Sequence, residues 1–132
     1  MADMNVLRFD PEVHLADMTQ WYEIRGRPAP GLCSLPVYGY VVPGLAAGFL
    51  YLTDSDIAFA DGLVTNPNAP IFDRTNALDA ISDEIIATAK RLGVSKLLGF
   101  VSKRGSQYLC RNHGLKRGAW YMLMAMDLTT KE

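Results

Sequence analysis

The chain has 132 residues, with 13 Lys and Arg against 14 Asp and Glu, and a net charge of -1. Hydrophobic residues make up 49% and charged residues 20%, the balance of a soluble domain large enough for one core. Near-zero charge gives no electrostatic case for nucleic acid or an anionic membrane as the main partner, and no apolar run reaches the roughly 18 residues of a spanning helix.

The expected organisation is one domain over residues 1–132, without repeats. The opening "MADMNVLRF" lacks the basic and apolar regions of a signal peptide. Cys33 and Cys110 are far apart and are expected as reduced thiols, which places the chain in a cytoplasm. His14 and His113 form no metal-ligand spacing with them, so no metal site is expected.

"NVLRF" (Asn5–Phe9) reads as a first strand. Asp10 and Pro11 are a capping residue and a first helical residue for a helix Pro11–Ile24, with Leu15, Met18, Trp21 and Tyr22 on one side and Gly26 as the stop. A Pro- and Gly-rich loop, Arg25–Pro36, follows. Val37–Val42, Ala46–Thr53 and Ile57–Thr65 read as strands of an antiparallel meander, joined by short turns and apolar enough to be covered on both faces. Next comes a long helix beginning between Asp73 and Thr75, with Leu78, Ile81, Ile85, Ala89 and Leu92 as its apolar stripe and Gly93 as its stop. Lys96–Val101 is a buried strand expected parallel to Ile57–Thr65. A short helix at Arg104–His113 and a strand at Ala119–Leu128 complete the order β-α-βββ-α-β-α-β, an α/β fold around a mixed sheet.

Two features stand out. The long helix aims its N-terminus at the end of a strand, where anions are held. Asp61 interrupts an apolar strand, "IAFADGLV", on the expected face of Ile57, Phe59 and Leu63. A carboxylate there is paired, exposed at a cleft or shifted in pKa. It is either a structural partner of an arginine or a functional acid.

The element order, together with "GFLYLTDSDIAFADGLVTNPNAPIFDRTNALDAISDEIIATAKRLG" and "GFVSKRGSQYLCRNHGLK", resembles the GNAT superfamily of acyl-CoA-dependent N-acetyltransferases, in particular small GNAT-like proteins of phage genomes. The resemblance spans nearly the whole chain. It implies a GNAT-like mixed sheet flanked by helices, acetyl-CoA as cofactor, and transfer of an acyl group to an unidentified amine, on a protein or elsewhere, by direct attack. The family's pyrophosphate loop reads Arg or Gln, two residues, Gly, one residue, Gly or Ala. The matching segment is Arg74, Thr75, Asn76, Ala77, Leu78, Asp79, with Ala77 for the first glycine and Asp79 for the last small residue. Asp79 is therefore expected to oppose the phosphates. Leu63, Val64 and Thr65 match the strand edge that holds pantetheine, with Gly62 either a bulge or a packing glycine. Asp61 matches a strand on which the family places its base. Cys110 stands where the family has a tyrosine acid, either as a proton donor or as small core filler. These departures leave a second reading: a catalytically degenerate GNAT-fold phage protein that binds a host or virion protein in the host cytoplasm. Neither reading involves nucleic acid or membrane, and a homodimer is open to both.

Overall fold

The computed structural model describes residues 4–99, 112–116, 118 and 128. Its elements are β1 (Leu7–Arg8), α1 (Pro11–Ile24), a 3-10 turn (Leu32–Ser34), β2 (Tyr38–Val42), β3 (Ala46–Leu52), β4 (Ile57–Thr65), α2 (Ile71–Arg91) and β5 (Lys96–Gly99). They form one sheet in the order β1-β2-β3-β4-β5. The first four strands are antiparallel neighbours, and β5 lies parallel to β4, from Ile57 opposite Lys96 to Ala60 opposite Gly99. This is the expected α/β mixed sheet. Phe100 and Val101 of the predicted fifth strand, most of the predicted short helix including Cys110, and the body of the last strand lie outside the described residues.

Local sequence accounts for the element ends. The Asp10 side chain accepts the Glu12 amide at 3.0 Å, and Pro11 follows at the first turn of α1, where its missing N–H costs nothing. The helix α2 starts earlier than expected, at Ile71 after Pro70. Neither Asp73 nor Thr75 caps it. Thr75 Oγ1 instead donates back to the Ile71 carbonyl at 2.8 Å, the bond such side chains make inside a helix.

Each face of the sheet carries its own core. On one side α2 buries Ala77, Ile81, Ile85 and Ala89 against Tyr40, Val42, Ala46, Leu50 and Ala58. A hydrogen bond of 2.6 Å between the Tyr40 and Thr88 hydroxyls ties β2 to α2. On the other side α1 sets Met18, Trp21 and Tyr22 over Val41, Ala47, Phe49 and Val64. The apolar stripe of α2 is narrower than expected: Leu92 is 40% exposed, because the helix has run past the sheet at its C-terminal end.

Ile85 is 1% exposed at the centre of the α2 contact. Ile85→Ala is expected to cost about 2–5 kcal/mol in urea unfolding, and a loss near zero would contradict the helix–sheet packing.

Candidate active site

The β3–β4 ladder pairs Ala47 with Val64 and Phe49 with Asp61, so two steps along β3 are matched by three along β4. The extra residue is a β-bulge, and Gly62 has φ +67, a conformation that glycine adopts without strain. The glycine serves packing too: a Cβ there would lie 2.8 Å from Phe49 Cδ2. The bulge also resets the alternation of side chains. Asp61 lies opposite Phe49 on the α1 side. Leu63, expected on the same face, instead packs toward Gly48 and Ile81 on the α2 side, and Val64 returns to the α1 side.

Asp61 is exposed, and its Oδ1 accepts the Gly62 amide at 2.8 Å. Around it on the α1 face lie Tyr22, from the last turn of α1, and Tyr51, from β3. Burial first, and then Asp61 together with other neighbours, holds both phenols above their usual pKa of 10.0; for Tyr22 the nearby Arg27 guanidinium acts the other way. Arg27 stacks over the Tyr22 ring with its guanidinium carbon 5.5 Å from the centroid. The Tyr51 hydroxyl donates to the Ser34 carbonyl at 3.3 Å. Trp21, by contrast, is core.

Beyond Asp61, β4 ends at Thr65, where Arg25 Nη2 donates to the carbonyl at 3.0 Å and to Oγ1 at 2.7 Å. The connection to α2 consumes its own donors. Asn66 N bonds Leu45 O, Asn68 N bonds Asn66 Oδ1, and Ala69 N bonds Asn66 O, at 2.8, 2.9 and 3.2 Å; Pro67 and Pro70 have none. The Arg74 amide bonds Pro70 O at 3.0 Å, and Thr75, Asn76 and Ala77 lie deeper in the helix, where amides bond the carbonyl four back. The backbone amides left to meet an anion are therefore those of Ile71, Phe72 and Asp73 in the first turn. The expected loop is displaced by one helical turn: Arg74 contributes its side chain, and the acid nearest the free amides is Asp73.

Arg74 carries a buried Nε without a hydrogen-bond partner. Arg25 has its guanidinium pKa lowered, first by burial and then by the neighbouring charges of Arg27 and Arg74. The Arg25 guanidinium, bonded to Thr65 at the end of β4, thus feels the charge of Arg74 in the first turns of α2. Of the pantetheine edge, Leu63 and Val64 are core side chains, and the Thr65 carbonyl is taken by Arg25. Among the described residues, β5 pairs with β4 only as far as Ala60.

Asp79 is eight residues into α2 and faces His113 instead of the phosphate position. His113 Nε2 lies 2.9 Å from Asp79 Oδ1, and Nδ1 lies 3.1 Å from Asp83 Oδ1. Both ring nitrogens of His113 thus face carboxylates of α2. Among the described residues no three metal-ligating side chains come together, and no helix is long and apolar enough to cross a membrane.

Comparison with solved structures bears on the fold. The chain is similar to glucosamine-6-phosphate N-acetyltransferase from Arabidopsis thaliana (TM-score 0.70, 9% identity, 96% of this chain and 100% of that one). It is also similar to an acetyltransferase of Trypanosoma brucei (TM-score 0.63, 9% identity, 96% and 100%). An aminoglycoside acetyltransferase from an uncultured soil metagenomic sample aligns as well (TM-score 0.58, 11% identity, 96% and 96%). The chain has the fold of the GNAT acetyltransferases. No protein-family model matches it, and no curated protein matches it in sequence.

Trp21, Tyr22 and Arg25 are legible in the sequence as the end of the first helix, where the family resemblance implies an acceptor pocket or else core and solvated rim; Tyr51 and the amides of Ile71–Asp73 are not. Pro70 was the available signal for the amides, since a proline at a helix start fixes the first turn. Nothing local marks the partner of Arg25, Thr65, which is 40 residues away.

Gly62→Ala is expected to cost more than the ~1–2 kcal/mol of a left-handed alanine, because its Cβ also meets Phe49; urea unfolding reads this directly. The raised phenols predict a second effect. A group with a raised folded pKa contributes stability that is complete below its unfolded value, here near 10.0, and lost as pH rises through the folded one. Unfolding free energy should therefore fall above about pH 10, and less steeply in Tyr22→Phe.

Proposed function

We propose that the chain is an acetyl-CoA-dependent N-acyltransferase in which an amine attacks the thioester directly. The observation that carries this reading is the arrangement along β4: an exposed acid at the Gly62 bulge, and an anion seat of Arg25, Arg74 and three free amides where the strand hands over to α2. The acetyltransferase fold supports it.

Bound acetyl-CoA would supply the acyl group as an activated thioester. The seat fits its pyrophosphate, because an unpartnered buried guanidinium nitrogen and first-turn amides are the donors such an anion requires. Arg74 and the amides of Ile71, Phe72 and Asp73 would hold the phosphates, Arg25 would close the seat from the α1 side, and Leu63–Thr65 would flank the pantetheine arm. Asp61 Oδ1 is held by the Gly62 amide, which leaves Oδ2 to take the proton from the attacking amine. The nitrogen bonds the carbonyl carbon, the carbon–sulfur bond breaks, and the sulfur leaves as thiolate. Cys110 as the acid that returns a proton to that sulfur rests on sequence alone. The substrate end of the cleft is the Tyr22–Tyr51 face.

Calorimetry with coenzyme A tests the seat. A dissociation constant of tens to hundreds of micromolar is expected, about 5–6 kcal/mol. Arg74→Ala should weaken binding about tenfold. Asp73→Asn should tighten it by up to about 1 kcal/mol by removing a like charge, whereas Asp79→Gly should not. Absence of any heat or thermal shift at millimolar ligand would remove the enzyme reading and leave the protein-binding one. Given an accepted amine, Asp61→Asn should keep the fold and lower turnover about a hundredfold; an unchanged rate would reassign Asp61 to structure.

A further inference from the structure

Arg25, Arg27 and Arg74 are a group of like charges without a counter-ion among the described residues. No carboxylate lies within ion-pair distance of any of the three among the described residues, where the ion pairs formed are those of His113. Arg25 and Arg74 sit at the strand end and are accounted for by a phosphate-bearing cofactor. Arg27 is not. Its guanidinium is stacked on Tyr22, and Tyr22 packs in the cluster of Phe49 and Tyr51, the residues beside Asp61 in the sheet. Arg27 therefore stands on the α1 face, where its guanidinium and the exposed Asp61 carboxylate both act on the Tyr22 phenol.

We infer that the acceptor is a small amine that also carries an anionic group, phosphate or carboxylate, with its nitrogen at Asp61 and its anion at Arg27. This inference rests on the acyltransferase reading. The chemistry is complementary at both ends. An ammonium group is drawn to Asp61 and gives up its proton there. A planar guanidinium held against an aromatic ring keeps its outer N–H groups free and aimed in a fixed direction, which suits paired bonds to phosphate or carboxylate. Bringing a third positive charge next to Arg25 raises the electrostatic energy of this face, and a bound anion offsets that repulsion. The aromatic walls, Tyr22 and Tyr51, leave the middle of the ligand an uncharged path between the two ends.

The test compares matched amines as acceptors and as ligands of the chain with and without coenzyme A. O-phosphoethanolamine and 3-aminopropyl phosphate form the phosphate arm, and β-alanine and 4-aminobutyrate the carboxylate arm. Ethanolamine and n-propylamine are the neutral controls. The expected result is a preference of at least about tenfold, in kcat/KM or in affinity, for one anionic arm over the neutral amines. Arg27→Gln should collapse that ratio toward one, and Arg27→Lys should keep part of it. A purely structural role for Arg27 would lower anionic and neutral amines in parallel and leave the ratio intact, which would overturn the inference. So would equal binding and equal reaction of all six amines, including none. Failure of coenzyme A to bind at all is separate: it removes the acyltransferase reading, while the preference in direct amine binding still decides the role of Arg27.

Discussion

The ring of Phe49 is the constraint on which the rest of the structure depends. It lies across β2, β3 and β4 at once, and both neighbouring strands make room by having no side chain beneath it. A Cβ at Gly39 would come within 2.6 Å of the ring, and one at Gly62 within 2.8 Å. Phe9 adds an edge contact from the far side, with ring centroids 5.0 Å apart. Burying a phenylalanine this completely is among the larger single contributions available to a small core, roughly 1.5–3 kcal/mol, and here it also sets geometry. Gly62 accommodates the ring while in a left-handed conformation, and that conformation is the bulge. The bulge in turn leaves Asp61 on the α1 face and sends Leu63 to the other. Packing at the sheet centre and chemistry at the sheet edge are thus one arrangement of the backbone.

Much of this was legible in the sequence because period-two and helical patterns depend on local sterics. The bounds of α1 and β4 were read as they stand, since Asp10, Pro11, Gly26, the "DSD" turn and Pro67 are all local signals. The two-sided core followed from strands that are apolar on both faces. Asp61 was visible as a charge in an apolar strand. Its company was not, because Tyr22 and Arg27 come near it only through the packing of α1 on the sheet, and the place of Tyr51 depends on the β3–β4 register. The error over Leu63 has the same origin: strict alternation assumes no bulge, and Gly62 permits one without announcing it.

The phosphate end shows a different limit. A motif match fixes residue types at a spacing, but anion binding by a helix depends on which amides remain unbonded, and that depends on where the helix begins. Pro70 moves the start of α2 to Ile71, so the matched segment is helical and its amides are consumed. The same shift carries Asp79 away from the phosphate position and into the pairing with His113. The expected repulsion passes to Asp73, which occupies the first turn itself. One residue without an N–H thus relocates both the free amides and the acid nearest them.

Charge along β4 then acquires a direction. Asp61 sits near the middle of the strand and the arginines gather at its C-terminal end, where the positive end of the α2 dipole adds to them. A ligand lying along this edge meets a falling, then reversed, potential within the length of a few residues. Anions are favoured at one end and an amine at the other, so the order of groups on a bound molecule is set before any specific contact forms. Because Arg25 bridges from α1 to the last residue of β4, it belongs to both ends. It holds the α1 terminus, and with it Tyr22 and Arg27, in register with the phosphate seat. Under the proposed function, a ligand that engages Arg25 would therefore bear on the Tyr22 face through a residue bonded to the strand itself.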